Sequence, residues 1–244
     1  MDYTKDYLLD KQIKIFQPVD GYRASTDAII LSSVVSKVKK NDTILDVGSG
    51  TGAISLCLAH RYINDGVKIT GLELQKELCD LSNLSSKENG FSDSLKYINC
   101  DIRKKTESID FCSFSHVITN PPYSEKDLPS PNSSKAQAHN HSDFSLGEWI
   151  KFCIKMIKPK GFFYMINRAE ALDEILCRIK GKLGNIRIIP IYSKEGQEAK
   201  RVIVIAQKDS KAATSIVSSF IVHNSNGEYS DKANEILRKG QAFF

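Results

Sequence analysis

Along this chain, short apolar runs alternate with longer segments whose apolar residues return every three or four positions. "TILDVG", "KITGLEL", "LKYINCD", "HVITN" and "GFFYMINR" are compact apolar runs and read as strands. "GAISLCLAHRY", "QKELCDLSNLSSKENG", "SLGEWIKFCIKMIK" and "AEALDEILCRIKGK" have helical spacing. The second of these helices ends at Gly90; the third is capped by Ser145 and stopped by Pro159 and Gly161. Strand and helix in alternation predict a parallel sheet with helices on both faces. The last two strands, "IRIIPIYS" and "RVIVIAQ", are separated only by a turn containing Gly and Glu. With no helix to cross back, they predict an antiparallel hairpin at one edge of a mostly parallel, seven-stranded sheet. Pro190 in the first of them suits an edge or bulge, since it has no N–H to donate.

Two stretches stand outside this rhythm. Residues 1–40 form a lead-in segment, and residues 124–144, "SEKDLPSPNSSKAQAHNHSDF", are rich in Ser, Pro and Asn with no apolar period. A loop of that length inside a compact domain is functional or disordered, and a flexible substrate loop is expected here. With 244 residues, 41% of them hydrophobic, the chain can bury one large core, so a single domain over 1–244 is expected. No apolar run approaches a membrane span, and "MDYTKDYLLDKQ" lacks the apolar centre of a secretory signal. A cytoplasmic monomer without a membrane partner is the expectation. The six cysteines (Cys57, Cys79, Cys100, Cys112, Cys153, Cys177) form no CxxC pair and read as reduced thiols in or near the core, with neither a metal site nor a disulfide framework. The net charge of +5 is uneven, with 13 Lys/Arg against 7 Asp/Glu over residues 145–209. Such a half suits a polyanionic partner, and it equally describes a solvated basic face.

The chemistry begins at "LDVGSGTGA", Leu45–Ala53, which follows a strand and opens a helix. Gly48, Gly50 and Gly52 allow a tight turn and a close approach of backbone to ligand. Glu73 ends the second strand where an acid accepts hydrogen bonds from ribose hydroxyls, and Asp101 ends the third. Together with Asp46, three consecutive strand ends carry acids at the edge where open parallel sheets bind ligands. Gly48-x-Gly50-x-x-Ala53 also fits a relaxed dinucleotide fingerprint. Asp46 argues against it: a carboxylate there repels a pyrophosphate but suits a ligand with a positive amino-acid end. S-adenosyl-L-methionine has that end and a ribose. At these residues the chain resembles the class I S-adenosylmethionine-dependent methyltransferases, whose first motif is an acid followed by a GxGxG turn. The resemblance implies a Rossmann-like α/β fold and that cofactor.

"TNPPY", Thr119–Tyr123, ends the fourth strand with a carboxamide, two residues that lack N–H donors, and an aromatic ring. It resembles the motif of methyltransferases that act on amino or amide nitrogens. A planar amino nitrogen is a weak nucleophile because its lone pair is delocalised. The Asn120 side-chain oxygen and the Pro121 carbonyl can each accept one of its N–H groups, and Tyr123 can stack on the planar acceptor. "QPVDGYRASTDAIILSS" (Gln17–Ser33) and "FIVHNSNGEYSDKANEIL" (Phe220–Leu237) extend the likeness to a bacterial family that methylates N6 of adenine 37 in valine tRNA. By that resemblance the substrate is RNA, specifically tRNA, and Thr26 and Asp27 open a helix beneath the methionine end of the cofactor. In the alternative reading, Ser25 or Thr26 simply caps the helix "DAIILSSVVSKV".

Other features carry less. His139 and His141 lack the further ligands of a metal site and read as solvated loop residues. Trp149 reads as core. Tyr22 and Arg23 either meet RNA or pack the N-terminal segment, and Lys200 and Arg201 are candidate phosphate contacts. Two other acceptors share the Asn-Pro-Pro turn: protein glutamine and the N2 of a ribosomal RNA guanine. Only about forty residues precede the first strand, too few for the helical N-terminal domain of release-factor methyltransferases. Guanine-N2 enzymes often carry Phe where Tyr123 stands. A DNA adenine methyltransferase needs a larger recognition region than a loop of about twenty residues.

Overall fold

A computed structural model of the chain describes residues 2–104, 109–122 and 144–244. An N-terminal hairpin, β1 (Tyr3–Leu8) and β2 (Ile13–Pro18), forms a two-stranded antiparallel sheet. After it come α1 (Thr26–Ser33), β3 (Thr43–Val47), α2 (Ala53–Arg61), β4 (Lys68–Glu73), α3 (Lys76–Glu88), β5 (Leu95–Asn99) and β6 (Phe114–Thr119). The rest is α4 (Leu146–Met156), β7 (Ile157–Arg168), α5 (Leu172–Ile179), β8 (Leu183–Lys194), β9 (Ala199–Lys208), β10 (Ser215–Ile216), β11 (Phe220–His223) and α6 (Asp231–Lys239).

The seven expected strands lie side by side in the order β8-β9-β7-β6-β3-β4-β5. All are parallel except β9, which runs antiparallel to both β7 and β8. The antiparallel pair is therefore present, with its second strand slotted inside the sheet. β10 and β11 then pair with the outer side of β8, which the sequence pattern did not foresee. β10 pairs with Arg187 and Ile188 and β11 from Ile191 onward, so Pro190 falls in the gap between them, where no ladder partner is lost.

The sheet is buried on both faces. Ile44 and Ile69 point into one core with residues of α1, α2, α3 and α6, and the β2 residues Ile13 and Ile15 join them. Leu45, Val47 and Val117 point into the other, against Ile150 and Cys153 of α4 and Ile175 and Ile179 of α5. Three expectations need correction. The lead-in holds a hairpin: β1 is exposed at alternate positions and carries the adjacent charges Lys5 and Asp6, so its apolar pattern is thin. α1 ends at Ser33, short of the expected Val38. α4 stops at Met156, before Pro159 and Gly161, which lie inside β7 at a register shift against β6. Ser145 does cap α4, in a reciprocal bond pattern with Glu148. Cys57, Cys79 and Cys153 are buried, whereas Cys112 and Cys177 are exposed and outside the core. No helix among the described residues is long and apolar enough to cross a membrane.

Candidate active site

Strand register brings the motifs together. Val47 pairs with Leu72 on one side and Thr119 on the other, so Gly48, Glu73 and Asn120 leave three adjacent strands at the same height. Neighbouring strands are about 4.8 Å apart, which puts the glycine turn between the acid and the carboxamide. The turn hangs from β4: the N–H groups of Gly48 and Ser49 both donate to the Leu72 carbonyl at 2.9 Å. Gly48, Gly50 and Gly52 have φ of 72°, 57° and 84°, all left-handed. Each also lies under an aromatic side chain. A Cβ on Gly48 would come within 2.8 Å of the Trp149 ring, one on Gly50 within 2.5 Å of Tyr22, and one on Gly52 would strike the Tyr97 hydroxyl.

Glu73 holds this turn as well as facing it. One of its oxygens accepts the Gly50 N–H and the other the Gln75 N–H, both at 2.8 Å. Burial raises its pKa, and those bonds oppose the rise. Asp46 has no exposed surface and lies beneath the turn, where it accepts a 2.6 Å bond from the Ser55 hydroxyl in the first turn of α2. Burial pushes its pKa up to about 7. Asp101 lies beyond β5 in a two-pronged ion pair with Arg103, at 2.7 and 2.8 Å, which holds its carboxyl below the usual range.

On the acceptor side, Thr119 is fully buried at the end of β6 and Asn120 follows it, half-buried; Pro121 is buried and Pro122 exposed. The Thr119 hydroxyl donates to the Val47 carbonyl at 2.9 Å and accepts from the Trp149 indole N–H at 2.8 Å. Trp149 thus ties the carboxamide strand to the glycine turn, a role its core reading missed. Its place in a capped helix with an apolar stripe carries no sign of that bond. Tyr123, residues 124–143 of the loop, and with them His139 and His141, lie outside the described residues.

The remaining candidates separate. Ser25 stands at the N-cap of α1 without a side-chain bond to the helix, and Thr26 is exposed. Asp27 is buried and pairs with Arg201 on β9. Arg201 is thus partly committed to a structural acid, leaving exposed Lys200 as the stronger phosphate candidate. Arg23 packs the hairpin, donating to Thr4, the Pro18 carbonyl and Asp6.

Buried polar atoms are nearly always paired. Among the described residues four buried side-chain polar atoms have no hydrogen-bond partner, and three belong to this turn: Asp46 Oδ1, Ser49 Oγ and Thr51 Oγ1. Left-handed glycines, an acid at the next strand end and unmatched polar groups between them suit a ligand with ribose and amino-acid ends. The Asn-Pro-Pro turn leaves the neighbouring strand at the same height as the glycine turn. These features define a class I methyltransferase with S-adenosyl-L-methionine as its cofactor. The chain belongs to the methyltransferase domain family, whose model matches residues 38–217.

Among curated proteins, it is 25% identical over 233 residues to a tRNA1(Val) (adenine(37)-N6)-methyltransferase of Shewanella baltica, covering 93% of this chain and 95% of that one. A protein of the same name from Cytophaga hutchinsonii is 24% identical over 240 residues, covering 93% and 94%. Among solved structures, a predicted O-methyltransferase of Agrobacterium tumefaciens superposes with a TM-score of 0.72 at 22% identity, covering 89% and 97%. P. horikoshii TYW2 in complex with MeSAdo gives 0.58 at 12% identity, covering 85% and 72%. At those identities the superpositions speak for the fold.

Proposed function

We propose that this methyltransferase acts on the N6 of an adenine in RNA, with adenine 37 of a valine tRNA as its acceptor, in the cytoplasm. The observation that carries the reading is the register of Asn120 beside Gly48, through Thr119 paired with Val47. A carboxamide one strand from the cofactor turn supports an amino-nitrogen acceptor there. Relatives named for that adenine match 93% of this chain.

When bound, S-adenosylmethionine supplies an electrophilic methyl group and a sulfide leaving group. Glu73 accepts from the ribose hydroxyls while fixing Gly50. Asp46, sealed under the turn, contributes negative potential to the amino-acid end and anchors the turn to α2. Asp101 and Thr26 would help hold the cofactor, and Asp27 sets α1 through Arg201. The Asn120 oxygen and the Pro121 carbonyl accept the two N–H groups of the acceptor nitrogen. That would free and orient its lone pair, with one of the two protons passing to solvent. Neither proline offers a competing donor. Tyr123 stacks on the base. The rate gain comes from position and fixed dipoles, without a strong base.

The test is nucleoside mass spectrometry of total tRNA from a strain lacking this gene. The reading expects N6-methyladenosine to disappear from valine tRNA. An unchanged nucleoside profile contradicts it.

A further inference from the structure

The N-terminal hairpin carries a surface that methyl transfer does not use. Side chains alternate along β1, and Tyr3, Lys5 and Tyr7 share its exposed face, with Tyr3 52% and Tyr7 46% exposed. Pro18, Phe16 and Lys14 stand opposite them on β2. Tyr3 meets Phe16 edge to face, with ring centroids 5.7 Å apart. The acid of the strand, Asp6, belongs to the other face. It accepts from Thr4 at 2.6 Å, Gln17 at 3.1 Å and Arg23 at 2.7 Å. The outward row is therefore aromatic, cationic, aromatic, with the strand's negative charge turned away and neutralised.

Tyr3 and Tyr7 are four residues apart on an extended strand, roughly 13 Å. That is about two nucleotide steps of an extended single strand, so the two rings suit unpaired bases separated by one nucleotide, with the lysine beside the phosphates between them. A duplex hides its base faces in its own stack and fits such a row poorly. The segment that follows the hairpin leads to the site. Arg23 bonds the Thr4–Pro18 end of the hairpin, Gln17 accepts the Ala24 N–H at 2.8 Å, and Tyr22 between them lies on Gly50. The chain leaving the hairpin therefore reaches the cofactor turn through Tyr22.

We propose that the outer face of β1 is a docking platform for unpaired nucleotides of the RNA substrate, taken up by stacking on Tyr3 and Tyr7 with Lys5 on the phosphate. The proposal rests on the RNA reading above. It places part of substrate recognition on a hairpin separate from the acceptor strand.

The experiment measures binding of an unmodified tRNA transcript to the full chain by fluorescence anisotropy, beside calorimetric titration of S-adenosylmethionine. Tyr3→Ala with Tyr7→Ala should weaken tRNA binding by at least about tenfold, while Tyr3→Phe with Tyr7→Phe stays within about twofold, because stacking survives. Tyr7→Ala alone, which leaves the Tyr3–Phe16 contact intact, should weaken it by at least about fivefold. Lys5→Glu should also weaken it. Cofactor affinity should match the wild type in every variant, which shows the domain is folded. Wild-type affinity for tRNA in the alanine pair overturns the platform alone. So does an equal loss in the phenylalanine pair, or self-association that the alanine pair abolishes while tRNA binding stands. A wild-type chain that binds no tRNA overturns both this inference and the RNA reading.

Discussion

Replacing Asp46 by Asn should make the cofactor-free protein more stable at pH 8 and not at pH 4.5. Asp46 has no exposed surface, and burial raises its pKa from 3.8 to about 7 against the bonds from Ser55. A raised folded-state pKa means the native protein holds the proton more tightly than the unfolded chain. Stability is then greatest on the acid side and is lost as pH climbs from about 4 through about 7. A shift of about three units corresponds to ~4 kcal/mol once the group is ionised. Asn carries no charge at any pH and keeps an oxygen for Ser55. It also puts an N–H donor where Oδ1 has no partner, a loss of about 1–3 kcal/mol. The net gain at pH 8 is about 1–3 kcal/mol, or ~2–12 °C in melting temperature for a domain of this size. Thermal unfolding of both proteins without cofactor, followed by circular dichroism from pH 4.5 to 8, reads it directly. A difference in melting temperature that stays constant across that range refutes the reasoning.

Gly52→Ala should lose about 2–5 kcal/mol in urea unfolding, from a left-handed φ of 84° and a collision with the buried Tyr97 hydroxyl. Gly90→Ala, with φ of 73° and nothing within 4 Å, should lose only about 1–2 kcal/mol, and equal losses would refute the packing argument. Trp149→Phe should cost ~0.5–1.5 kcal/mol of stability through the lost bond to Thr119, and Trp149→Ala should in addition weaken S-adenosylmethionine binding by uncovering Gly48, as calorimetry would show. Asn120→Ala should cut single-turnover methyl transfer by at least about a hundredfold with cofactor affinity barely changed. Tyr123→Ala should also weaken acceptor binding by about 1–3 kcal/mol, and Tyr123→Phe far less.

The central sheet was legible because its inner strands β3, β4 and β6 are buried on both faces and therefore almost continuously apolar, while the helices between strands keep a helical period. The glycine turn was legible because L side chains rarely adopt left-handed φ, and three such positions in five residues call for glycine. Sequence could not show how tightly the turn is packed. Tyr22, Tyr97 and Trp149 come from three distant segments, and their convergence on Gly50, Gly52 and Gly48 is a product of the fold. The Asp27–Arg201 pair spans 174 positions and is equally silent in the chain. The hairpin was missed because half of β1 faces water, so turn geometry and pairing with β2 decide it more than hydrophobicity does. Glu73 shows a subtler gap. Its place at a strand end marked it as a ribose acceptor, and only the structure adds that the same carboxylate holds Gly50 and Gln75.

Methyl transfer by the purified protein to an unmodified valine tRNA transcript, with methyl-labelled S-adenosylmethionine and digestion to nucleosides, tests the central claim most directly. The account predicts label in N6-methyladenosine, and none when Asn120 is replaced by Ala. Label in N2-methylguanosine, label only in added release-factor protein, or full activity of the Asn120→Ala protein would contradict it.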